Sequence, residues 1–243
     1  LIQPRAAKTL AEQRKRTRDI AEVFTPLNIV EEMNNRIDES GQVSSVDENN
    51  WQDYVKAIKL EIACGEAPFI ISRYDPTSHA GKMMPIGKRV GFLDKKLSVV
   101  SQYCSNKNDW LYWSKEACKA SYGYEWQGDN ILIARENILY SLIDYYKEKF
   151  LDNLSLKAQE QIATIISWNI FQMDGLKYVT PASCYDETET EPEQTSFLEI
   201  ASQNTKIFEC MGCHLNLPFN HNGIYVKIMD WESNLPIRFV DMT

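Results

Sequence analysis

The sequence predicts an α/β fold built on a mostly parallel sheet, and three observations predict it. Apolar runs that read as strands, Lys59 to Ala63, Gly123 to Trp126 and Trp168 to Met173, alternate with stretches of helical periodicity. Each run ends in a turn glycine or a polar tip: Cys64-Gly65, Glu125 and Asp174 in turn. The 243 residues, 44% of them hydrophobic, suffice to bury a core beneath such a sheet. Strands separated by helices are joined by crossovers, and crossovers make neighbours parallel.

Residues 8–35 carry a helical pattern, basic at Lys8, Arg14, Lys15, Arg16 and Arg18, then apolar at Ile29, Val30 and Met33. Thr25 is a natural N-cap and Pro26 a natural first helical residue, so a helix is predicted to start there. The polar string DESGQVSSVDENN at 38–50 reads as a loop, and Trp51 to Lys56 as a short helix before the first strand. From Pro76 to Lys88 the pattern breaks up, which predicts a surface excursion. Leu97 to Val100 and Trp110 to Ala120 read as helical. After Asp129, the apolar residues from Ile131 to Tyr146 recur at 3.6-residue spacing, the mark of a long amphipathic helix packed on a sheet. Ser155 to Ile166 is a further predicted helix. DETETEPEQ at 186–194 reads as solvated, and the alternation in IYVKIMDW and IRFVD predicts a small β-hairpin. The expected organisation is therefore one domain over 1–180 with an insertion at about 76–121, an acidic linker at 181–204, and a small C-terminal β appendage at 205–243.

Thirty-four acidic against 26 basic residues give a net charge of -8, so contact with a nucleic acid must come from a local basic patch or from a partner. The run from Arg14 to Arg18 is the candidate patch, with a solvated helix face as the plainer reading. No run of eighteen apolar residues exists and none follows the basic N-terminus, so neither a membrane span nor a signal peptide is expected, and the expected location is cytoplasmic. Six cysteines are too few for a disulfide scaffold and read as thiols.

An apolar strand, a glycine turn and later strands ending in acids are how doubly wound α/β proteins hold a nucleoside, because adjacent strand ends line one crevice. The elements here are LEIACGEAPF at 60–69, YGYEWQGDNILIARENIL at 122–139 and SWNIFQMDGLK at 167–177. With AEVFTPLNIVEEM at 21–33 ahead of them, they resemble, in order, the motifs of adenine-specific DNA methyltransferases of restriction-modification systems, the M-subunit group.

The resemblance spans roughly residues 15–180 and implies a class I methyltransferase (Rossmann-like) fold that binds S-adenosyl-L-methionine. It implies that Thr25, in the Phe-Thr-Pro turn with Pro26, contacts the methionine end of the cofactor, and that Glu61, Ala63, Cys64 and Gly65 form the turn beneath it. Glu125 would bind the ribose, Trp126 would stack on adenine and Asp174 would accept from its amino group. Methyl transfer would be direct in-line attack of the adenine 6-amino nitrogen, with no metal.

Glu61-Ile62 stands where the family has Asp-Pro, and Glu66-Ala67 replaces its second glycine. An Asn-Pro-Pro-Tyr motif, which grips the target base, is absent. Asn216-Leu217-Pro218-Phe219 is the nearest string, with Asn216, Pro218 and Phe219 in matching places, but no buried strand precedes it and a chance match is the favoured reading. DNA and a protein partner that supplies the missing motif, or a target-recognition subunit, are the expected partners. The alternatives are a non-catalytic cofactor- or DNA-binding subunit that needs a partner, and a small-molecule or protein methyltransferase whose insertion walls the pocket from a duplex.

Cys210-Met-Gly-Cys213-His214, followed by His221, has the two-residue spacing of a small structural zinc site. A four-ligand knuckle would need Cys210 and Cys213 plus two of His214, His221 and a distant cysteine. Free thiols are the default alternative.

Overall fold

The fold is α/β, with three parallel strands at its centre. A computed structural model describes residues 2–41, 46–78, 81–190 and 205–242. It opens with α1 (Leu10–Ile20), α2 (Leu27–Ser40), α3 (Trp51–Lys56) and β1 (Lys59–Glu61). Helices α4 (Phe92–Tyr103) and α5 (Lys107–Lys119) lead to β2 (Ser121–Glu125), and α6 (Gly128–Phe150) and α7 (Leu156–Asn169) lead to β3 (Ile170–Gln172). Then come β4 (Glu187–Thr190), β5 (Thr205–Phe208), α8 (Met211–Leu215), β6 (Lys227–Asp230) and β7 (Leu235–Arg238). Among the described residues, no helix is long and apolar enough to cross a membrane.

The helical pattern over 8–35 resolves into two helices. Ala21 takes a left-handed conformation (φ 53°) and ends α1, and α2 begins one residue later than predicted, with Pro26 rather than Thr25 at its N-cap. Thr9 and Glu12 form a reciprocal capping box on α1, satisfying otherwise unpaired amides. Arg16, from the basic run, is taken up internally: it bridges Glu22 (2.5 Å) and Asp129 (2.8 Å), tying α1 to the first turn of α6. Arg14, Lys15 and Arg18 remain exposed.

In the sheet, order β1-β2-β3, Leu60 pairs with Tyr122, Gly123 with Ile170, and Tyr124 with Phe171. Successive side chains point to opposite faces. Gly123 and Ile170 therefore face the layer formed by α3 to α7, whose core includes Trp110, Leu97, Leu142 and Ile162. Tyr122, Tyr124 and Phe171 face the other way, against Ile228, Ile237 and Phe239 of the β6–β7 hairpin and the turn behind it. That hairpin does not cover β1: Ile58, Leu60 and Ile62 are 72%, 42% and 67% exposed.

Two sequence readings are corrected. Trp168 lies in α7, which runs to Asn169, because Asn169 is held there by three backbone carbonyls, of Cys118, Lys119 and Ser121. Residues 187–190, read as solvated linker, form β4 and pair antiparallel with β5, so a strand from the linker reading joins one from the 205–243 region. Residues 191–204, the rest of the linker reading, lie outside the described residues. Of the segment read as an insertion, 92–119 forms α4 and α5 within the core layer, between β1 and β2.

Asp94, fully buried at the first turn of α4, accepts hydrogen bonds from the Ser72 amide (2.7 Å) and hydroxyl (3.1 Å), the Gly91 amide (3.1 Å) and Tyr145 (3.2 Å). Burial outweighs these bonds and the nearby Arg89, and pushes its carboxyl from 3.8 up to about 6. The folded state thus holds this proton more tightly than the unfolded chain. The associated stability is fully present below the unfolded value and is lost as pH rises through the folded one, by at most about 3 kcal/mol. Urea titrations across that window should show the loss in the native chain and a flatter dependence in Asp94→Asn; equal slopes would assign it to other groups.

Candidate cofactor site and a four-residue donor cluster

The strand ends carry most of the residues singled out in the sequence. After β1 the chain turns sharply, with Ala63, Gly65 and Ala67 at φ 50°, 55° and 64°. At Gly65 the turn also has no room for a side chain, since a Cβ would stand 2.8 Å from Phe24 Cε1. Phe24 therefore lies directly against the glycine turn, placing Thr25 beside it, and the Arg5 guanidinium sits 5.4 Å from the Phe24 ring centre. The Cys64 amide donates to the Tyr124 carbonyl (2.8 Å), which continues the β1–β2 pairing into the turn.

Glu125 closes this arrangement from the next strand. Its Oε2 accepts from the Gly65 amide (2.9 Å) and its Oε1 from the Gln127 amide (3.0 Å). Each carboxylate oxygen keeps a second lone pair for a hydroxyl. Trp126 follows, half exposed, with its carbonyl held by Gln172 Nε2 (2.7 Å). Asp174, almost fully buried, accepts the Leu176 and Lys177 amides (3.0 and 3.2 Å), both on Oδ1.

Glu61 and Glu66 are both buried, with their carboxyls on backbone amides and a hydroxyl. Glu61 accepts the Phe69 and Ile70 amides (3.4 and 3.1 Å), so its carboxyl shapes the turn after β1. Burial, and then the charge of Glu125, raise it well above the ordinary carboxyl range. Glu66 accepts from the Arg5 amide (2.6 Å) and Tyr74 hydroxyl (2.7 Å), anchoring the N-terminal segment where a second glycine would have left space. The Cys64 thiol is buried and pushed well up, first by burial and then by Glu61 and Glu125, which removes it as a nucleophile.

Two cavities flank these strand ends. One of about 570 Å³ runs along β1 and is lined by Thr25, Glu61, Ala63, Cys64 and Gly65 together with apolar Val23, Ile58, Leu60 and Ile62. A second of about 270 Å³ contains Trp126 and Asp174. Of the nine residues predicted to hold a cofactor, Thr25, Glu61, Ala63, Cys64 and Gly65 line the first cavity and Trp126 and Asp174 the second, while Pro26 lines neither and Glu125 is hydrogen-bonded to Gly65 and adjoins Trp126.

The second cavity is walled by Cys184, Cys210 and Cys213. With His221 these form a compact donor set in which every pair of ligand atoms lies within 4.8 Å. His214 is not part of it: its ring is largely exposed and stands 3.7 Å from Glu209. The distant cysteine is Cys184. Asn216 caps α8 in a left-handed conformation (φ 55°), Pro218 accepts from the Tyr225 hydroxyl (3.0 Å) and Phe219 is exposed. That string lies in the loop joining Cys213 to His221 and does not sit at a strand end.

The sequence reading missed Phe24, Glu66, Lys177 and Cys184 as contributors. Cys184 had a signal: it lies in the polar, aperiodic segment after Pro181, where a cysteine has no core to fill. The chain matches no protein-family model, no curated protein and no solved structure.

Proposed function

We propose that this chain is the cofactor-binding part of an S-adenosylmethionine-dependent DNA adenine methyltransferase with a class I methyltransferase fold, serving a restriction-modification or phage-defence system. The observation that carries the reading is the ordered meeting at parallel strand ends. Phe24 presses on Gly65, the Gly65 amide binds Glu125, and Trp126 and Asp174 follow at the next positions.

In this reading the backbone of Ala63 to Gly65 and Thr25 receive the methionine moiety, and Glu125 accepts the ribose hydroxyls on its remaining lone pairs. Trp126 offers a flat face to adenine, and Asp174 accepts from the adenine amino group. When bound, the donor supplies an electrophilic methyl group. The chain's part is to orient it, since alignment and charge stabilisation dominate such a transfer.

The exposed Ile58, Leu60 and Ile62 support a partner on the open side of β1, which pairs only with β2 among the described residues. An apolar strand edge left uncovered invites pairing with another chain. The partner in this reading carries the Asn-Pro-Pro-Tyr-type motif on a strand that pairs with β1. The exposed cations Arg14, Lys15 and Arg18 are the candidate contacts for DNA phosphate.

Calorimetric titration with S-adenosylmethionine tests the reading. Glu125→Ala should weaken binding by about 1.5–3 kcal/mol, the scale of lost charge-assisted hydrogen bonds. Unchanged affinity in a folded variant would remove Glu125 from the ribose role, and no binding by the native chain would overturn the cofactor assignment.

A further inference from the structure

Cys184, Cys210 with Cys213, and His221 come from three separate stretches of chain. Nevertheless His221 Nδ1 stands 3.6 Å from Cys184 Sγ and 3.7 Å from each of Cys210 Sγ and Cys213 Sγ. One ring nitrogen carries either a single hydrogen or a single lone pair, so it can make one good hydrogen bond, and three equal approaches need another cause. A tetrahedral zinc with about 2.3 Å to sulfur and about 2.0 Å to nitrogen sets nitrogen-to-sulfur edges of about 3.5 Å.

We propose that Cys184, Cys210, Cys213 and His221 bind a structural zinc ion that locks the wall of the cavity containing Trp126 and Asp174. This goes beyond the methyltransferase reading and does not depend on it. Three thiolates and an imidazole are a soft donor set suited to zinc, and four protein donors complete a tetrahedron, leaving no open position for catalysis. Binding releases the three thiol protons, and three thiolates around a divalent ion leave one net negative charge. Lys177 Nζ, 3.3 Å from Cys213 Sγ, sits where it offsets that charge. The Asn222 amide also donates to Cys210 Sγ (3.4 Å), as outer partners of metal ligands do.

The backbone is shaped for the same purpose. A Cβ on Gly212 would stand 2.7 Å from His221 Cγ and from backbone atoms of Asn220 and His221. One on Gly223 would stand 2.7 Å from Ser183 Oγ and 3.0 Å from Cys184 Sγ. Both glycines let chain segments close on the donors with no room for a side chain. The connection to the cofactor side is short: the Asp174 amide donates to the Val179 carbonyl (2.8 Å), and Val179 bridges Tyr225, whose hydroxyl accepts the His221 amide (2.9 Å).

Metal analysis of the full chain purified without chelator should find about one zinc per chain. Exchange with cobalt(II) should produce thiolate-to-metal charge transfer and the intense visible bands of a tetrahedral site, a readout on the unaltered chain. Cys184→Ser should reduce bound metal at least tenfold, whereas His214→Ala should keep it. A chain that takes up neither metal, an octahedral cobalt spectrum, a disulfide among the three cysteines, or metal loss in His214→Ala but not in Cys184→Ser would each overturn the proposal.

Discussion

Incubated with S-adenosylmethionine and duplex DNA, the 243-residue chain is expected to bind the donor and to transfer no methyl group to adenine. The groups proposed to hold the donor stand at the strand ends, but no Asn-Pro-Pro-Tyr motif occurs in the sequence, and Asn216 to Phe219 is part of the loop between Cys213 and His221. A donor without a gripped base loses the near-attack geometry, which is worth about 10⁵-fold or more in rate. Supplying a partner that carries the motif should restore transfer and produce a stable heteromer. The exposed Ile58, Leu60 and Ile62 should become protected in amide exchange of the complex, because pairing buries the free edge of β1. Adenine methylation by the isolated chain at a rate unchanged by any partner would refute the division of labour. Donor binding with no transfer in any complex would favour the non-catalytic subunit.

Gly91→Ala is expected to destabilise the fold by about 3 kcal/mol or more, the upper range for overpacking a tight site. A Cβ there would stand 2.4 Å from the Ile70 carbonyl oxygen, 2.6 Å from its carbon and 2.7 Å from Ile71 Cα, all backbone atoms with no rotamer to give. The position is also where α4 docks: the Phe92 and Leu93 amides donate to the Phe69 and Ile70 carbonyls (2.8 and 2.9 Å), and the Gly91 amide donates to Asp94. Since Glu61 holds the Phe69 and Ile70 amides, displacing that turn should disturb the chain just after Gly65. Urea denaturation measures the stability, and donor titration of the folded fraction measures the coupling. A stability equal to the native chain would mean that the α4 entry shifts freely.

Local chemistry determined the order of elements in this protein. Helical periodicity in 131–146 and the three apolar runs ending in polar tips are properties of neighbouring residues, and they recur as α6 and the three parallel strands. The spacing of Cys210 and Cys213 was readable for the same reason, with His214, His221 and a distant cysteine left as alternatives for the remaining donors. Contacts between distant segments were decided only by the tertiary structure. Whether Glu61 and Glu66 face a ligand or the interior depends on which amides and hydroxyls the packed chain brings to them, here those of Phe69, Ile70, Arg5 and Tyr74. The choice of Cys184 over His214 rests on a loop 26 residues upstream of Cys210 folding back through the Val179–Tyr225 bridge, while the neighbour of Cys213 in sequence points to solvent. Strand length was settled likewise, since the Asn169 side chain satisfies three carbonyls only when α7 continues through Trp168. Periodicity reports which face of an element is apolar; which partner covers that face, or leaves β1 uncovered, is a property of the assembled fold.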